Sequence, residues 1–142
     1  MTFLGKMKRV LSGEEAYVTM IADMDEQVGK MLALLEKLSI EKDTLVLFTS
    51  DNGPEHFAGK TAGFRERKRF LYEGGIRVPA IAQWVGTLPA KVKSDAFVVS
   101  TDLFPTFLDA AGVHPPSHYK LDGLSILPQL VPDYHKAGSV FI

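Results

Sequence analysis

The sequence predicts an α/β domain, with helices layered on a mainly parallel sheet. Three observations lead there. An apolar stripe at helical spacing runs from about Glu14 to Leu38. The run Thr44-Leu45-Val46-Leu47-Phe48-Thr49 is apolar without alternation, as in a strand covered on both faces. The segments after it follow in the order strand, then helix, so that the whole reads helix, strand, strand, helix. A length of 142 residues suffices for one core, and 46% apolar with 23% charged residues is a globular balance rather than a disordered one.

Taken in order, the first helix opens on Ser12 and Glu15, the S-x-x-E pattern of a capping box. Tyr17, Ile21, Met24, Val28, Met31, Leu35 and Leu38 form its stripe, which predicts a cover packed on the sheet; Glu26, Lys30 and Lys37 lie off it. After the polar break Glu41-Lys42-Asp43 comes the first strand, with Leu45 to Phe48 expected as an inner strand, ending at Ser50-Asp51-Asn52-Gly53-Pro54. Glu55 to Arg69 is polar without a stripe and reads as a long loop, a kind that inside a compact domain is usually functional. Tyr72 to Pro79 reads as a turn, Ala80 to Val85 as the second strand, and Ala96 to Val99 as a possible short third. Thr101 or Asp102 caps a helix with Pro105 in its first turn and Gly112 past its end. Leu121 to Pro128 is too short to type. The apolar Gly138 to Ile142 reads as a strand cut through, and so as a hint of truncation.

Composition also excludes. A formal net charge of −1 favours neither nucleic acid nor an anionic membrane surface as partner. No apolar run approaches the roughly 18 residues of a membrane span. With no cysteine there are no disulfides, thiolate metal sites or Cys nucleophile in the chain. Met1 to Val10 carries Lys6, Lys8 and Arg9 but no apolar stretch behind them, so it does not read as a signal peptide. The one asparagine, Asn52, precedes Gly53-Pro54, so no N-glycosylation sequon occurs.

Two clusters carry chemistry. Asp51 and Asn52 follow a buried strand, where open α/β sheets bind ligands, and offer a carboxylate and an amide oxygen of the kind a hard cation takes. An ordinary turn, with both side chains bonded to their own backbone, would show the same residues. The second cluster is Lys60, Arg65, Arg67, Lys68 and Arg69, leading into Tyr72-Glu73-Gly74-Gly75. Cations on a loop leaving such a strand suit an anionic substrate, although charge runs often only face water.

Together, Thr49-Ser-Asp-Asn-Gly-Pro54 and Lys68 four residues before Tyr72-Glu-Gly-Gly-Ile-Arg-Val-Pro79 resemble the formylglycine-dependent sulfatases, within the alkaline phosphatase superfamily. Met24-Asp25 with Val28-Gly29, Asp102-Leu-Phe-Pro-Thr106, and Asp122-Gly-Leu-Ser125 with Leu127-Pro128 and Leu130 agree in order, so the resemblance runs from about residue 17 to 130. It implies a partial catalytic domain of the alkaline-phosphatase-like sulfatase fold across residues 1–142, matching the later part of that domain. It also implies that Asp51 and Asn52 are two ligands of a divalent cation, usually calcium (Ca2+). Lys68 would be the lysine that holds a sulfate oxygen, and Glu73 and Arg77 structural residues of their turn. His56 lies close enough in sequence to reach the sulfate or the leaving oxygen, but reads first as a surface histidine. Asp23 and Asp25 read as features of the helix rather than ligands.

The family's nucleophile, a formylglycine hydrate made from C/S-x-P-x-R, has no match in this chain, nor does its first pair of acidic ligands. The chain as it stands is therefore expected to be inactive alone. The implied substrate is a sulfated small molecule or glycan, with secreted, lysosomal or periplasmic settings usual for the family. Two alternatives stand beside this reading. One is a phosphatase or phosphodiesterase of the same superfamily, where His rather than Asn tends to follow the Asp and suits zinc. The other is an inactive anion-binding chain using the basic loop, which is read as lacking the aromatic interleaving that stacks on bases.

Overall fold

The computed structural model describes residues 12–130 and 138–141. The chain divides into two compact units, Met1–Leu34 with Ser50–Val78, and Leu35–Thr49 with Pro79–Ile142. The elements among the described residues are α1 (Gly13–Lys37), β1 (Val46–Thr49), α2 (Glu73–Ile76), β2 (Ala80–Trp84), β3 (Val92–Lys93), α3 (Leu103–Ala110), α4 (Leu127–Leu130) and β4 (Gly138–Phe141), with 3-10 turns at Glu41–Asp43 and Ser100–Asp102.

α1 starts where the capping box predicts. The Ser12 N–H donates to Glu15 Oε2 at 2.9 Å, and the Glu15 N–H donates to Ser12 Oγ at 3.2 Å, satisfying two backbone donors that a helix end leaves open. The apolar stripe does not do what the sequence predicts. α1 buries no residue: of the stripe, Ile21, Met24, Met31 and Leu38 are exposed, and Tyr17, Val28 and Leu35 are half-buried. Its first turns lie instead on the loop after β1. A β-carbon on Gly13 would touch Phe57, and one on Gly59 would press 3.2 Å from the Tyr17 ring and 2.7 Å from Pro54. The start of α1 is thus a backing for that loop.

The sheet has the order β1-β2-β4-β3. β1 pairs antiparallel with β2, Thr49 opposite Ala80, and β2 pairs antiparallel with β4; only β3 and β4 run parallel. This corrects the expectation of parallel pairing around β1: its partner among the described strands, β2, runs antiparallel to it. The reason lies in the connection. A parallel neighbour needs a crossover that carries the chain back to the strand's starting end. Residues 50–79 contain a single short helix, and they leave and rejoin the sheet at the same end. Non-alternating apolar residues report cover on two faces; they are silent about direction.

The core of this unit gathers Ala82, Leu88, Ile126, Leu127 and Leu130, with Leu45, Leu47, Trp84, Val98 and Ala110 packed around them. The Trp84 indole N–H is satisfied by the Lys42 carbonyl at 2.6 Å, which ties β2 to the 3-10 turn before β1. The short third strand expected at Ala96 to Val99 is not one; Val92–Lys93 takes that place. Gly138–Phe141 is the strand that its apolar run predicts. The basic N-terminal stretch at residues 1–10 lies outside the described residues.

α3 holds the second half of its unit by polar contacts from one face. Asp102 accepts from the Val99 N–H and the Leu124 N–H, each at 3.0 Å. Thr106, one turn on, donates to the Asp102 carbonyl at 2.6 Å and accepts from the Ile126 N–H at 3.0 Å. Asp109, a further turn on, accepts from the Ser125 hydroxyl at 2.6 Å. Positions 102, 106 and 109 share a helical face, so Gly123 to Leu127 is fastened along it. A β-carbon on Gly123 would overlap the Thr101 carbonyl, which is why this segment can come so close.

Candidate active site

The strand-end motif, the basic loop and the Glu73-Gly74-Gly75 turn belong to one unit, and three glycines let them interlock. The Gly53 N–H donates to the Gly75 carbonyl at 2.9 Å, and the Gly74 N–H to the Arg65 carbonyl at 2.9 Å. A β-carbon on Gly53 would overlap the Gly74 carbonyl, one on Gly74 the Glu66 carbonyl, and one on Gly75 the Phe70 carbonyl. The stretch 72–79, read as a plain turn, contains the helical turn α2, capped where the Arg77 N–H donates to the Glu73 carbonyl. Glu73 and Arg77, both largely exposed, pair at 3.1 Å across the same turn.

Asp51 is exposed and Asn52 half-buried. The Ser50 hydroxyl donates to the Asn52 carbonyl at 2.8 Å, which turns the backbone just after β1. Neither the Asp51 carboxylate nor the Asn52 amide makes a side-chain hydrogen bond to another described residue. The self-bonded turn that would have been the plain reading of these two residues is therefore not what they form. As donors they are hard oxygens, which fits calcium in kind. They are two where calcium takes six to eight, and no group of three His, Cys, Asp or Glu gathers among the described residues to complete a set.

Lys68 sits on a loop that is fixed at several points. Its N–H donates to the Pro54 carbonyl at 3.2 Å, which brings its backbone against the strand-end motif. Arg67 Nη1 donates to the Glu55 carbonyl at 2.7 Å and the His56 carbonyl at 2.9 Å. Glu66 and Arg69, on either side of this pair, both adopt left-handed backbone (φ 61° and 81°). Non-glycine residues in that region cost about 1–3 kcal/mol each, a strain that persists only where surrounding contacts enforce it. The Lys68 ammonium lies 2.9 Å from Glu55 Oε1, and this hydrogen-bonded cation holds the Glu55 carboxyl below the usual carboxylate range.

The other loop side chains take different parts. His56 is exposed, its ring edge-on to Phe70 with centroids 6.1 Å apart. Arg65 lies over the Tyr72 ring at 3.7 Å and Arg77 over the Phe64 ring at 4.9 Å. Aromatic residues are therefore interleaved with the cations after all, but Tyr72 and Phe64 are already engaged by arginines. Arg67 is not a water-facing charge; it staples the loop. Two residues of this arrangement are invisible to sequence reasoning, Glu55 and Arg67. Nothing in a string of charges says which cation will pair with a carboxylate thirteen residues earlier and which will bond carbonyls.

The oxygen-bearing side chains just after β1 and the loop carrying Lys68 are thus held together within one unit by close glycine contacts. The comparisons name the family. The sulfatase family model matches residues 11–113. The N-acetylgalactosamine-6-sulfatase of Canis lupus familiaris is 40% identical over 134 residues, covering 91% of this chain and 25% of the relative. The steryl-sulfatase of Homo sapiens is 34% identical over 149 residues, covering 99% and 25%. The crystal structure of PsFucS1 sulfatase from Pseudoalteromonas sp. superposes with a TM-score of 0.66 at 32% identity, covering 82% of this chain and 24% of that one. The chain belongs to the sulfatase family, with a partial sulfatase fold, and it spans about a quarter of the length of the curated relatives it matches. No helix among the described residues is long and apolar enough to cross a membrane.

Proposed function

We propose that this chain supplies the metal-and-anion half of a site that hydrolyses sulfate monoesters. Asp51 and Asn52 contribute two oxygens to a divalent cation, calcium, and Lys68 binds a sulfate oxygen. The observation that carries this reading is the interlock itself. Gly53, Gly74 and Gly75, with the Lys68 N–H on Pro54, fix the oxygen donors and the lysine's backbone in one piece, so their spacing is set before any ligand arrives. A bound calcium would supply positive charge that draws electron density from the sulfate oxygens. Lys68 adds a second positive charge, which stabilises the oxygens as negative charge builds during S–O cleavage. Glu73 and Arg77 keep the α2 turn in shape, and Arg67 keeps the loop.

Relatives named for N-acetylgalactosamine-6-sulfate and for steryl sulfate both match this chain. What the two share, a sulfate monoester, is the proposed substrate class, carried on a small molecule or a glycan. No residue of this chain fits the C/S-x-P-x-R motif from which formylglycine is made. The 142-residue chain by itself should therefore not turn over an aryl sulfate above background, but should bind sulfate through Lys68, more tightly when calcium is added. Isothermal titration with and without calcium tests this. Metal-dependent turnover by the chain alone, lost on Asp51→Ala, would overturn the assignment of half a site; sulfate binding indifferent to both Lys68→Ala and calcium would overturn the site.

A further inference from the structure

We propose that Glu55 is the positioning residue for the anion-binding lysine, an internal counter-ion that holds the Lys68 ammonium in place and that an incoming sulfate must displace. The inference rests on the role given to Lys68 above. An ion pair between two flexible surface side chains would mean little. This pair differs because both backbones are pinned. The Glu55 carbonyl receives Arg67 Nη1 at 2.7 Å, and the Lys68 N–H donates to Pro54, the residue before Glu55, at 3.2 Å. Glu66 and Arg69, in left-handed conformation, bracket Arg67-Lys68 and set the direction in which the loop passes Glu55. The carboxylate and ammonium meet at 2.9 Å with 32% and 39% of their side chains exposed, so a dissolved anion can reach the ammonium from solvent.

Such a pair has two consequences for an anion. The ammonium is aimed before binding, which saves the ordering of a long side chain. The carboxylate also occupies the position on the ammonium that the anion needs, and its negative charge repels any anion nearby. Only a ligand that brings several charge-assisted hydrogen bonds at once, as the oxygens of a sulfate do, replaces it well; chloride does not. Glu55 thus sets both the affinity and the selectivity of the lysine.

The test is a titration of the 142-residue chain with inorganic sulfate at constant ionic strength, chloride making up the balance. Lys68→Met should abolish binding. Glu55→Gln, which keeps the shape and an acceptor oxygen but removes the charge, should tighten sulfate binding by about 2–5-fold, the range that an exposed pair's coupling allows. In the unaltered chain with labelled glutamate, the Glu55 carboxylate carbon signal should shift as sulfate saturates and stay still in chloride alone, a readout that needs no variant to fold. A merely structural Glu55 would move neither: Glu55→Gln would leave binding unchanged or weaken it, and the carboxylate signal would not respond. That outcome, with Lys68→Met still abolishing binding, overturns this inference and spares the site. Binding by neither the unaltered chain nor Glu55→Gln, or binding insensitive to Lys68→Met, overturns both.

Discussion

Along α3, the Asp102 and Asp109 carboxylates accept from the Gly123–Leu127 segment; after β1, the Asp51 carboxylate and the Asn52 amide oxygen accept from no other described residue. The two regions are otherwise built alike. In each, a glycine lets one backbone lie against another's carbonyl, and in each a side chain reaches a distant segment, Asp102 to Leu124 in one and Arg67 to Glu55 in the other. The difference is what is left over. At α3 the acidic oxygens are engaged by the protein's own donors. At the strand end the interlocked backbone presents the Asp51 and Asn52 side-chain oxygens, which have no hydrogen-bond partner among the described residues, and such atoms are where a ligand can bind. A motif rich in Asp and Gly therefore does not announce a site. The hydrogen bonds of its carboxylates decide.

The largest losses are expected at the glycines. Gly53→Ala should cost at least the upper end of overpacking penalties, about 3 kcal/mol, because the new methyl meets a backbone carbonyl that cannot rotate away. Gly123→Ala should do the same at α3. Urea unfolding measures both, and the former should also remove sulfate binding while the latter should not. If Gly53→Ala unfolded at the same urea concentration as the unaltered chain, the interlock would be wrong.

Asp102→Asn comes next, at about 1.5–3 kcal/mol for a charged acceptor of two backbone N–H groups. These donors, that of Val99 first and that of Leu124 second, hold the Asp102 carboxyl below its ordinary range. The sign follows from a depressed folded value. Its stabilisation is complete above the unfolded carboxyl value, about 3.9, and is lost as pH falls through the lower folded value. Unfolding measured from pH 5 downward should therefore show a shallower acid decline in Asp102→Asn than in the unaltered chain, with sulfate affinity at neutral pH equal in both. The smallest effect is expected at Gly29, whose β-carbon would meet nothing. Gly29→Ala in mid-helix should stabilise by about 0.5–1 kcal/mol, seen as a small rise in Tm.

Much of this was legible in the sequence, and unevenly. The start of α1 followed from local chemistry, since a capping box needs only Ser12 and Glu15. The second strand and the helix behind Asp102 were legible for the same reason: proline and glycine mark their bounds. Strand direction was not, because pairing depends on where residues 50–79 rejoin the sheet, which no period records. Nor was the fate of the α1 stripe, since periodicity shows that a face is apolar without showing that anything covers it. At the site, the residue types at 51, 52 and 68 were readable. The partners of Lys68 and Arg67 were not, because the five cations of the loop look alike until the backbone sorts them.

The most direct test of the account uses a polypeptide that carries this chain together with a C/S-x-P-x-R segment and turns over an aryl sulfate. Turnover is measured for Lys68→Ala, Arg67→Ala, Arg69→Ala and Asp51→Ala with calcium titrated. Lys68→Ala should lose about 10²–10³ in rate at every calcium concentration, as removal of a preorganised charge-stabilising donor does. Asp51→Ala should be partly restored by calcium. Arg67→Ala should fall between, because its two carbonyl bonds hold the loop, and Arg69→Ala should stay near the unaltered rate. Lys68→Ala behaving like Arg69→Ala, with Asp51→Ala indifferent to calcium, would contradict the claim that the strand end and this loop form one metal-and-anion site.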